Sequence, residues 1–210
     1  MRPPAPVGRL RRGAGGSFTL LPHSLPAWVS EPVARAVART GLSPNAVTLL
    51  GLVGNLGAAA LAARGEFLPA GIVVLVAGAL DLVDGALARA TGRVTPFGGV
   101  FDSVVDRLSE AAVLGGILFF YSQGGHRQEV VLAFTAVVGS ILVSYVRARA
   151  EIVGLKMKDG LFTRAERVVV LAVGLMVDQA TIALWILAAL ASFTAAQRLA
   201  IVWVKTRDRQ

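Results

Sequence analysis

Long apolar stretches, each ending at a short polar turn, run through most of the chain. Six of them are long enough to be candidate membrane helices, and they cover residues 44–63, 68–89, 98–121, 129–150, 165–181 and 182–204. Ser43 and Pro44 pair an N-cap residue with a proline at the first helical position, which predicts where the first helix begins. Only Asp178 and Gln179 separate the last two stretches. The pattern predicts an all-α integral membrane protein with six transmembrane helices.

The ends of the chain differ from this apolar region. Residues 1–23 are basic and rich in Pro and Gly, and we expect them to be disordered. Residues 24–41 place apolar side chains such as Trp28 on one helical face, which predicts a short amphipathic helix at the membrane surface. Residues 42–205 then form the six-helix membrane domain, and residues 206–210 form a cytoplasmic tail.

Composition and charge agree with a membrane protein and exclude several other classes. The chain is 55% hydrophobic, has a mean hydropathy of +0.66, carries a net charge of +8 and contains no cysteine. Disulfides and cysteine metal sites are therefore excluded. The basic residues punctuate the spans, as at Arg89, Arg93 and Lys205, so we expect no nucleic-acid partner. Their bias predicts a multi-pass protein of the cell membrane with both termini in the cytoplasm.

Two pairs of aspartates lie at the same edge of the second and third predicted spans. Asp81 and Asp84 are three residues apart, and Asp102 and Asp106 are four apart, so each pair shares one helical face. The loop between the spans is short. Both pairs therefore lie at similar depth near the cytoplasmic boundary and are able to face one another.

Four converging carboxylates repel one another and need compensating positive charge. Hard oxygen ligands suit Mg²⁺ or Mn²⁺, and two such ions can clamp a diphosphate during displacement at phosphorus. Solvated helix ends, or ion pairs with Arg89 or Arg107, are the alternative explanation. Four carboxylates in two facing pairs favour the metal hypothesis, with two ions per subunit.

The spacing of this region resembles the motif of the CDP-alcohol phosphotransferase family at every defined position. Those positions are Asp81, Asp84, Gly85, Ala88, Arg89, Gly98, Asp102 and Asp106. The resemblance implies that the first three aspartates bind metal. It implies that Asp106 is the general base toward an alcohol, also a metal ligand, and that CMP leaves. It also implies a homodimer.

The donor side of the site follows from the same resemblance. Gly85, Ala88 and Gly98 lack bulk where a nucleotide approaches, and Arg89 is placed to pair with a phosphate. The start of the first span also resembles the family, which implies cytidine contacts from Asn45 and Thr48. Helix capping alone explains that segment equally well. The implied donor is CDP-diacylglycerol, with Asp81 also on the nucleotide side.

A second polar set, on the later spans, points to the acceptor. Arg147, Arg167 and Arg198 lie on three different spans at the basic side, where arginine forks suit an acceptor that carries its own phosphate. Snorkelling toward the membrane surface is the alternative. These segments resemble the phosphatidylinositol phosphate synthase branch, which implies inositol phosphate as the acceptor and adds Ser144 to its phosphate site. Arg147 stands where that branch has lysine.

Three other hypotheses stay open on the residues alone. Glycerol phosphate is also a phosphorylated alcohol and would suit the same arginines. An ion-coupled transporter explains intramembrane carboxylates, but it predicts charges spread through the membrane depth rather than gathered at one edge. A helical scaffold without chemistry explains neither the aspartates nor the arginines. We therefore expect an enzyme.

Overall fold

A computed structural model describes residues 36–155, 157 and 162–207 of the chain. Within these residues the fold is helical, without strands. The helices are α1 (Pro44–Ala63), α2 (Phe67–Ala90), α3 (Pro96–Gln123), α4 (Arg127–Ile152), α5 (Arg164–Met176) and α6 (Ala180–Arg207). Residues 36–38 are also helical. The predicted disordered segment 1–23, residues 24–35 of the predicted surface helix and residues 208–210 of the predicted tail lie outside the described residues.

Proline and a side-chain cap mark the start of two helices. At α1 the Ser43 hydroxyl accepts a hydrogen bond from the backbone N–H of Ala46, and Pro44 follows as the first helical residue. This start was predicted from the sequence and is confirmed. Thr95 and Pro96 repeat the arrangement at α3, where the Thr95 hydroxyl accepts from the N–H of Gly98 at 3.0 Å.

The end of α5 differs from the prediction. The fifth span was expected over residues 165–181, but the helix ends at Met176. Asp178 adopts a left-handed conformation with φ of 55°, and the N–H of Gln179 donates to the carbonyl of Gly174 at 2.8 Å. These contacts form a Schellman motif, which ends a helix wherever one residue accepts positive φ. The last helix accordingly begins at Ala180, two residues before the predicted start.

Small residues let the helices approach one another closely. The packed pairs are α1 with α2, α1 with α3, α2 with α5, α3 with α4, α4 with α6, and α5 with α6. Fully buried alanines line these contacts, including Ala58, Ala62, Ala133 and Ala172. Interfaces built from small residues are typical of helices that pack within a membrane, where van der Waals contact rather than the hydrophobic effect drives association.

The outer surface of the bundle is apolar, as expected for contact with lipid. Large side chains such as Val53, Phe134 and Trp185 are more than half exposed, a pattern that is uncommon on proteins surrounded by water. Within the described residues, α1, α2, α4 and α6 are long and apolar enough to cross a bilayer. Helix α3 carries several charged residues in its first half. Helix α5 has 13 residues and is about 20 Å long, against roughly 30 Å of hydrocarbon.

We expect Gly116→Ala to destabilise the contact between α1 and α3. A Cβ at Gly116 would overlap the backbone carbonyl group of Ala59, so the helices would have to separate. Overpacking of this kind costs about 1–3 kcal/mol and should lower the midpoint of thermal unfolding in detergent. The neighbouring variant Gly115→Ala is the matched control, because its Cβ would meet nothing within 4 Å. Equal midpoints for the two variants would contradict the packing described here.

Candidate active site

The four aspartates lie where α2 ends and α3 begins. Asp81 and Asp84 occupy the last three turns of α2, and Asp102 and Asp106 occupy the first three turns of α3. Asp84 is buried, and the other three are partly exposed. The short segment 91–95 joins the two helices, so both pairs are carried to the same end of the bundle.

Thr48 and Asn45 bring the start of α1 to this cluster. The Thr48 hydroxyl donates a hydrogen bond to Oδ2 of Asp84 at 2.6 Å, and both side chains are buried. The side-chain oxygen of Asn45 lies 3.4 Å from the position that a Cβ on Gly98 would take. Both residues predicted to contact cytidine therefore lie beside the aspartate motif, and Thr48 contacts it directly.

One arginine bridges two of the aspartates. The guanidinium of Arg164, in the first turn of α5, lies 2.5 Å from Oδ2 of Asp81 and 3.0 Å from Oδ1 of Asp106. Gly51 makes room on the other side, because a Cβ there would lie 2.6 Å from Oδ1 of Asp81. Arg107 adds a longer ion pair of 3.9 Å to Asp106. The two carboxylates are thus spaced to share a single cation.

This arrangement fits a divalent metal by its chemistry, although the ligands are not gathered around one point. Carboxylate oxygens are suitable ligands for Mg²⁺ or Mn²⁺, and a cationic group already lies between Asp81 and Asp106. However, no three Asp, Glu or His side chains are grouped closely enough to hold one ion among residues 36–155, 157 and 162–207. Arg164 occupies the place between the carboxylates instead.

The remaining motif residues line the exposed side of the same helix ends. Arg89 is exposed, and its guanidinium lies 3.4 Å from the position of a Cβ on Gly85, one turn earlier in α2. Ala88 and Gly98 are partly exposed. A larger residue at position 85 would therefore meet the side chain of Arg89.

Arg167, predicted to bind the acceptor phosphate, is paired with an acidic side chain. Its Nε donates to Oε1 of Glu110 at 2.6 Å, and one terminal nitrogen donates to Oε2 at 2.8 Å. Ser140 of α4 donates to the same Oε1 at 2.7 Å. All three side chains are buried. The result is a network that joins α3, α4 and α5 next to the aspartates.

The other predicted acceptor residues have different partners. Ser144 donates to the carbonyl of Ser140 at 3.2 Å, and exposed Arg147 pairs with Glu151 at 3.0 Å. Arg198, buried in α6, donates to the carbonyl of Val143 at 2.8 Å. The structure therefore links Ser144 to Ser140 and, through Glu110, Ser140 to Arg167. Arg147 lies at the surface, and Arg198 lies against the backbone of α4.

Three further residues of the site, Arg164, Glu110 and Ser140, were not predicted from the sequence. Glu110 follows Asp106 by one helical turn and so extends the acidic row of α3. Arg164 precedes Arg167 by three residues on the same helix. Both spacings can be read from the sequence and place each residue on the same helical face as a predicted site residue. Glu166 caps the start of α5, because its side chain accepts a hydrogen bond from the Thr163 N–H.

The motif, its position at two facing helix ends and the helical fold define the class of protein. Residues 41–204 match the CDP-alcohol phosphatidyltransferase family, and the chain belongs to that family. The resemblance inferred from the aspartate spacing is confirmed. The chain is thus a membrane protein of an enzyme family, not a transporter or a scaffold.

Several similar proteins are phosphatidylinositol phosphate synthases. The phosphatidylinositol phosphate synthase of Mycobacterium marinum is 37% identical over 186 residues, which are 83% of this chain and 80% of that protein. A crystal structure of the Mycobacterium tuberculosis enzyme with CDP-DAG bound has a TM-score of 0.78 and 34% identity, covering 84% of this chain and 94% of that one. The same enzyme in complex with manganese and citrate has a TM-score of 0.77 and 33% identity, over 83% and 89% of the two chains.

We expect Arg164→Gln to destabilise the protein when no divalent metal is added. Asp81 and Asp106 lose the charge that they share, at a cost of about 1–3 kcal/mol. This cost is below that of breaking a fully buried pair, because the Arg164 side chain is 27% exposed. Thermal unfolding in detergent with a chelator measures the effect.

The control for this variant is Arg147→Gln. It removes the exposed pair with Glu151 and should cost no more than about 0.5 kcal/mol. A loss in Arg164→Gln no larger than in this control would show that the bridge does not compensate the aspartates.

Proposed function

We propose that this protein transfers the phosphatidyl group of CDP-diacylglycerol to a hydroxyl of inositol phosphate. The products are phosphatidylinositol phosphate and CMP. The observation that carries the proposal is the position of Asp81, Asp84, Asp102 and Asp106 at two facing helix ends. The family match and the synthases that are similar over more than four-fifths of the chain support the same reaction.

We assign metal binding to the four motif aspartates, with two Mg²⁺ or Mn²⁺ ions in each subunit. The shared guanidinium between Asp81 and Asp106 supports this assignment, since it occupies a place suited to positive charge. The manganese complex of the similar M. tuberculosis enzyme supports it independently. When bound, such ions neutralise the diphosphate of the donor and polarise the phosphorus that is attacked.

Asp106 is the proposed general base. It accepts the proton of the acceptor hydroxyl while that oxygen forms a bond to the lipid-linked phosphorus. The bond from this phosphorus to the oxygen of CMP breaks, and CMP leaves with the electron pair. Burial of the Asp106 side chain, which is 13% exposed, limits competition from water for the same proton.

The donor nucleotide is assigned to the side of the motif formed by α1 and the ends of α2 and α3. The residues are Asn45, Thr48, Asp81, Gly85, Ala88, Arg89 and Gly98. The contact between Thr48 and Asp84 and the proximity of Asn45 to Gly98 support a common surface. Thr48 also fixes a metal ligand, so it would influence donor binding through Asp84.

The acceptor phosphate is assigned to Ser144, Arg147, Arg167 and Arg198. Arg167 connects this set to the aspartates, because it borders a cavity that Asp81 also lines. An acceptor bound between the aspartates and the residues assigned to its phosphate would place its hydroxyl toward the carboxylates. Its phosphate would point toward α4 and α6. Arginine forks suit the oxygens of a phosphate better than single point charges do.

The membrane arrangement is proposed as six spans with the site on the cytoplasmic side. Helices α1, α2, α4 and α6 meet the length and composition required. Helix α3 crosses with its charged first half at the site, and α5 completes the bundle. In this proposal both termini are cytoplasmic, and two subunits form a homodimer in the cell membrane.

The reaction is tested by CMP release from CDP-diacylglycerol in the presence of Mg²⁺. Inositol phosphate, glycerol phosphate, free inositol and serine are compared as acceptors. We expect release with inositol phosphate and little release with free inositol or serine, because neither carries the phosphate that the arginines require. Release with glycerol phosphate alone would keep the aspartate chemistry and change the acceptor. No release with any acceptor would overturn the proposed function.

Asp106→Asn should lower CMP release by about 100-fold or more, because the amide cannot accept the proton of the acceptor. Equilibrium binding of CDP-diacylglycerol should be largely retained. Asp178→Asn is the matched control: it makes the same chemical change in the turn after α5, where asparagine also tolerates the left-handed conformation. Activity of Asp106→Asn near that of this control would remove Asp106 from the role of base.

A further inference from the structure

Glu110 is an acidic residue that the assigned chemistry does not use, although it lies at the centre of a buried network. It lies one turn after Asp106 in α3 and is 8% exposed. Its two carboxylate oxygens receive three hydrogen bonds, two from Arg167 and one from Ser140. One carboxylate thus fixes side chains from two other helices.

The pair with Arg167 is bidentate, and this geometry fixes the plane of the guanidinium as well as its position. Nε and one terminal nitrogen point at Glu110, and the other terminal nitrogen donates to the carbonyl of Phe162 at 3.4 Å. An arginine has five N–H groups. Two remain, one on each terminal nitrogen, and their directions are set by the contact with Glu110.

A purely structural role explains this geometry poorly. Buried ion pairs add little stability compared with well-packed apolar residues, because both charges must lose their water. Apolar side chains of α3, α4 and α5, such as Leu114, Ala133 and Leu171, also belong to one buried core, and α5 packs directly against α2 and α6. A fixed guanidinium is, however, what binding of an oxyanion requires, since little ordering is left to occur when the ligand arrives.

The network also connects the two halves of the site. One cavity is lined by Asp81, Glu110, Arg164 and Arg167 together. Ser140, which donates to Glu110, is one turn before Ser144, whose hydroxyl bonds back to the Ser140 carbonyl. Glu110 therefore lines a cavity together with Asp81. It contacts Arg167 directly and is linked to Ser144 through Ser140.

We propose that Glu110 is a positioning residue for the acceptor: it holds Arg167 so that its two remaining N–H groups face the phosphate of the acceptor. The inference rests on the proposed function. Glu110 itself does not contact the substrate, and it acts through the orientation of Arg167. The chemical class recognised is a phosphomonoester on the alcohol that is attacked.

The test compares Glu110→Gln with the wild type in steady-state CMP release, varying acceptor and donor in turn. Glutamine keeps the size but loses the charge and one of the two hydrogen bonds to Arg167. We expect the acceptor KM to rise about tenfold or more, while the donor KM stays close to wild type. The thermal unfolding midpoint should fall, because buried Arg167 loses its charged partner. Glu129→Gln, at the opposite end of α4, is the matched control and should change neither KM.

Two further variants separate positioning from a structural role. If Glu110 acts through Arg167, the double variant Glu110→Gln/Arg167→Gln should have the same acceptor KM as Arg167→Gln alone. Glu110→Asp, which keeps the charge, should recover part of the acceptor affinity. Additive effects of the two glutamine substitutions, or an acceptor KM that is unchanged in Glu110→Gln, would overturn the inference.

Ser140→Ala provides the same test if Glu110→Gln does not fold. It removes one hydrogen bond to Glu110 and leaves the ion pair, so the acceptor KM should rise about threefold. Thr135→Ala is the control, because the Thr135 hydroxyl donates to the Val131 carbonyl within α4. Equal acceptor KM values for Ser140→Ala and Thr135→Ala would also overturn the inference. Wild-type protein that releases no CMP with any acceptor would instead count against the proposed function.

Discussion

The buried and half-buried carboxylates of α2 and α3 must be compensated by positive charge, and the first turn of α5 supplies it. Arg164 bridges Asp81 and Asp106, and Arg167 holds Glu110 through two hydrogen bonds. Without a positive charge nearby, buried carboxylates destabilise a membrane helix bundle. Both arginines lie three residues apart on one short helix, so the position of α5 and the geometry of the site depend on the same contacts.

Small residues make this arrangement possible. Gly51 leaves space for the Asp81 carboxylate, and Gly116 lets α3 approach the backbone of α1. A larger residue at position 51 would separate α1 from α2, which carry Thr48 and Asp84, joined at 2.6 Å. Close packing therefore fixes where the polar side chains meet, while the apolar outer surface faces the lipid.

The site has a local half and a distant half. The aspartates lie on α2 and α3, which are consecutive and joined by the short segment 91–95. The arginines assigned to the acceptor come from α4, α5 and α6, and tertiary packing brings one of them, Arg167, to the cavity that Asp81 lines. Glu110 lies on α3 with two of the aspartates, but its hydrogen-bond partners lie on α4 and α5.

The sequence alone determined the helical class, the start of α1 and the family, because apolar length, caps and the aspartate spacing are properties of neighbouring residues. It also located the turn at Asp178, but not the end of α5, since the left-handed conformation there is settled by backbone hydrogen bonds. Only the tertiary structure decided the partners of the charges. That Arg164 meets Asp81 and Arg167 meets Glu110 depends on how α5 packs, and their separations of 83 and 57 residues leave no periodic signal.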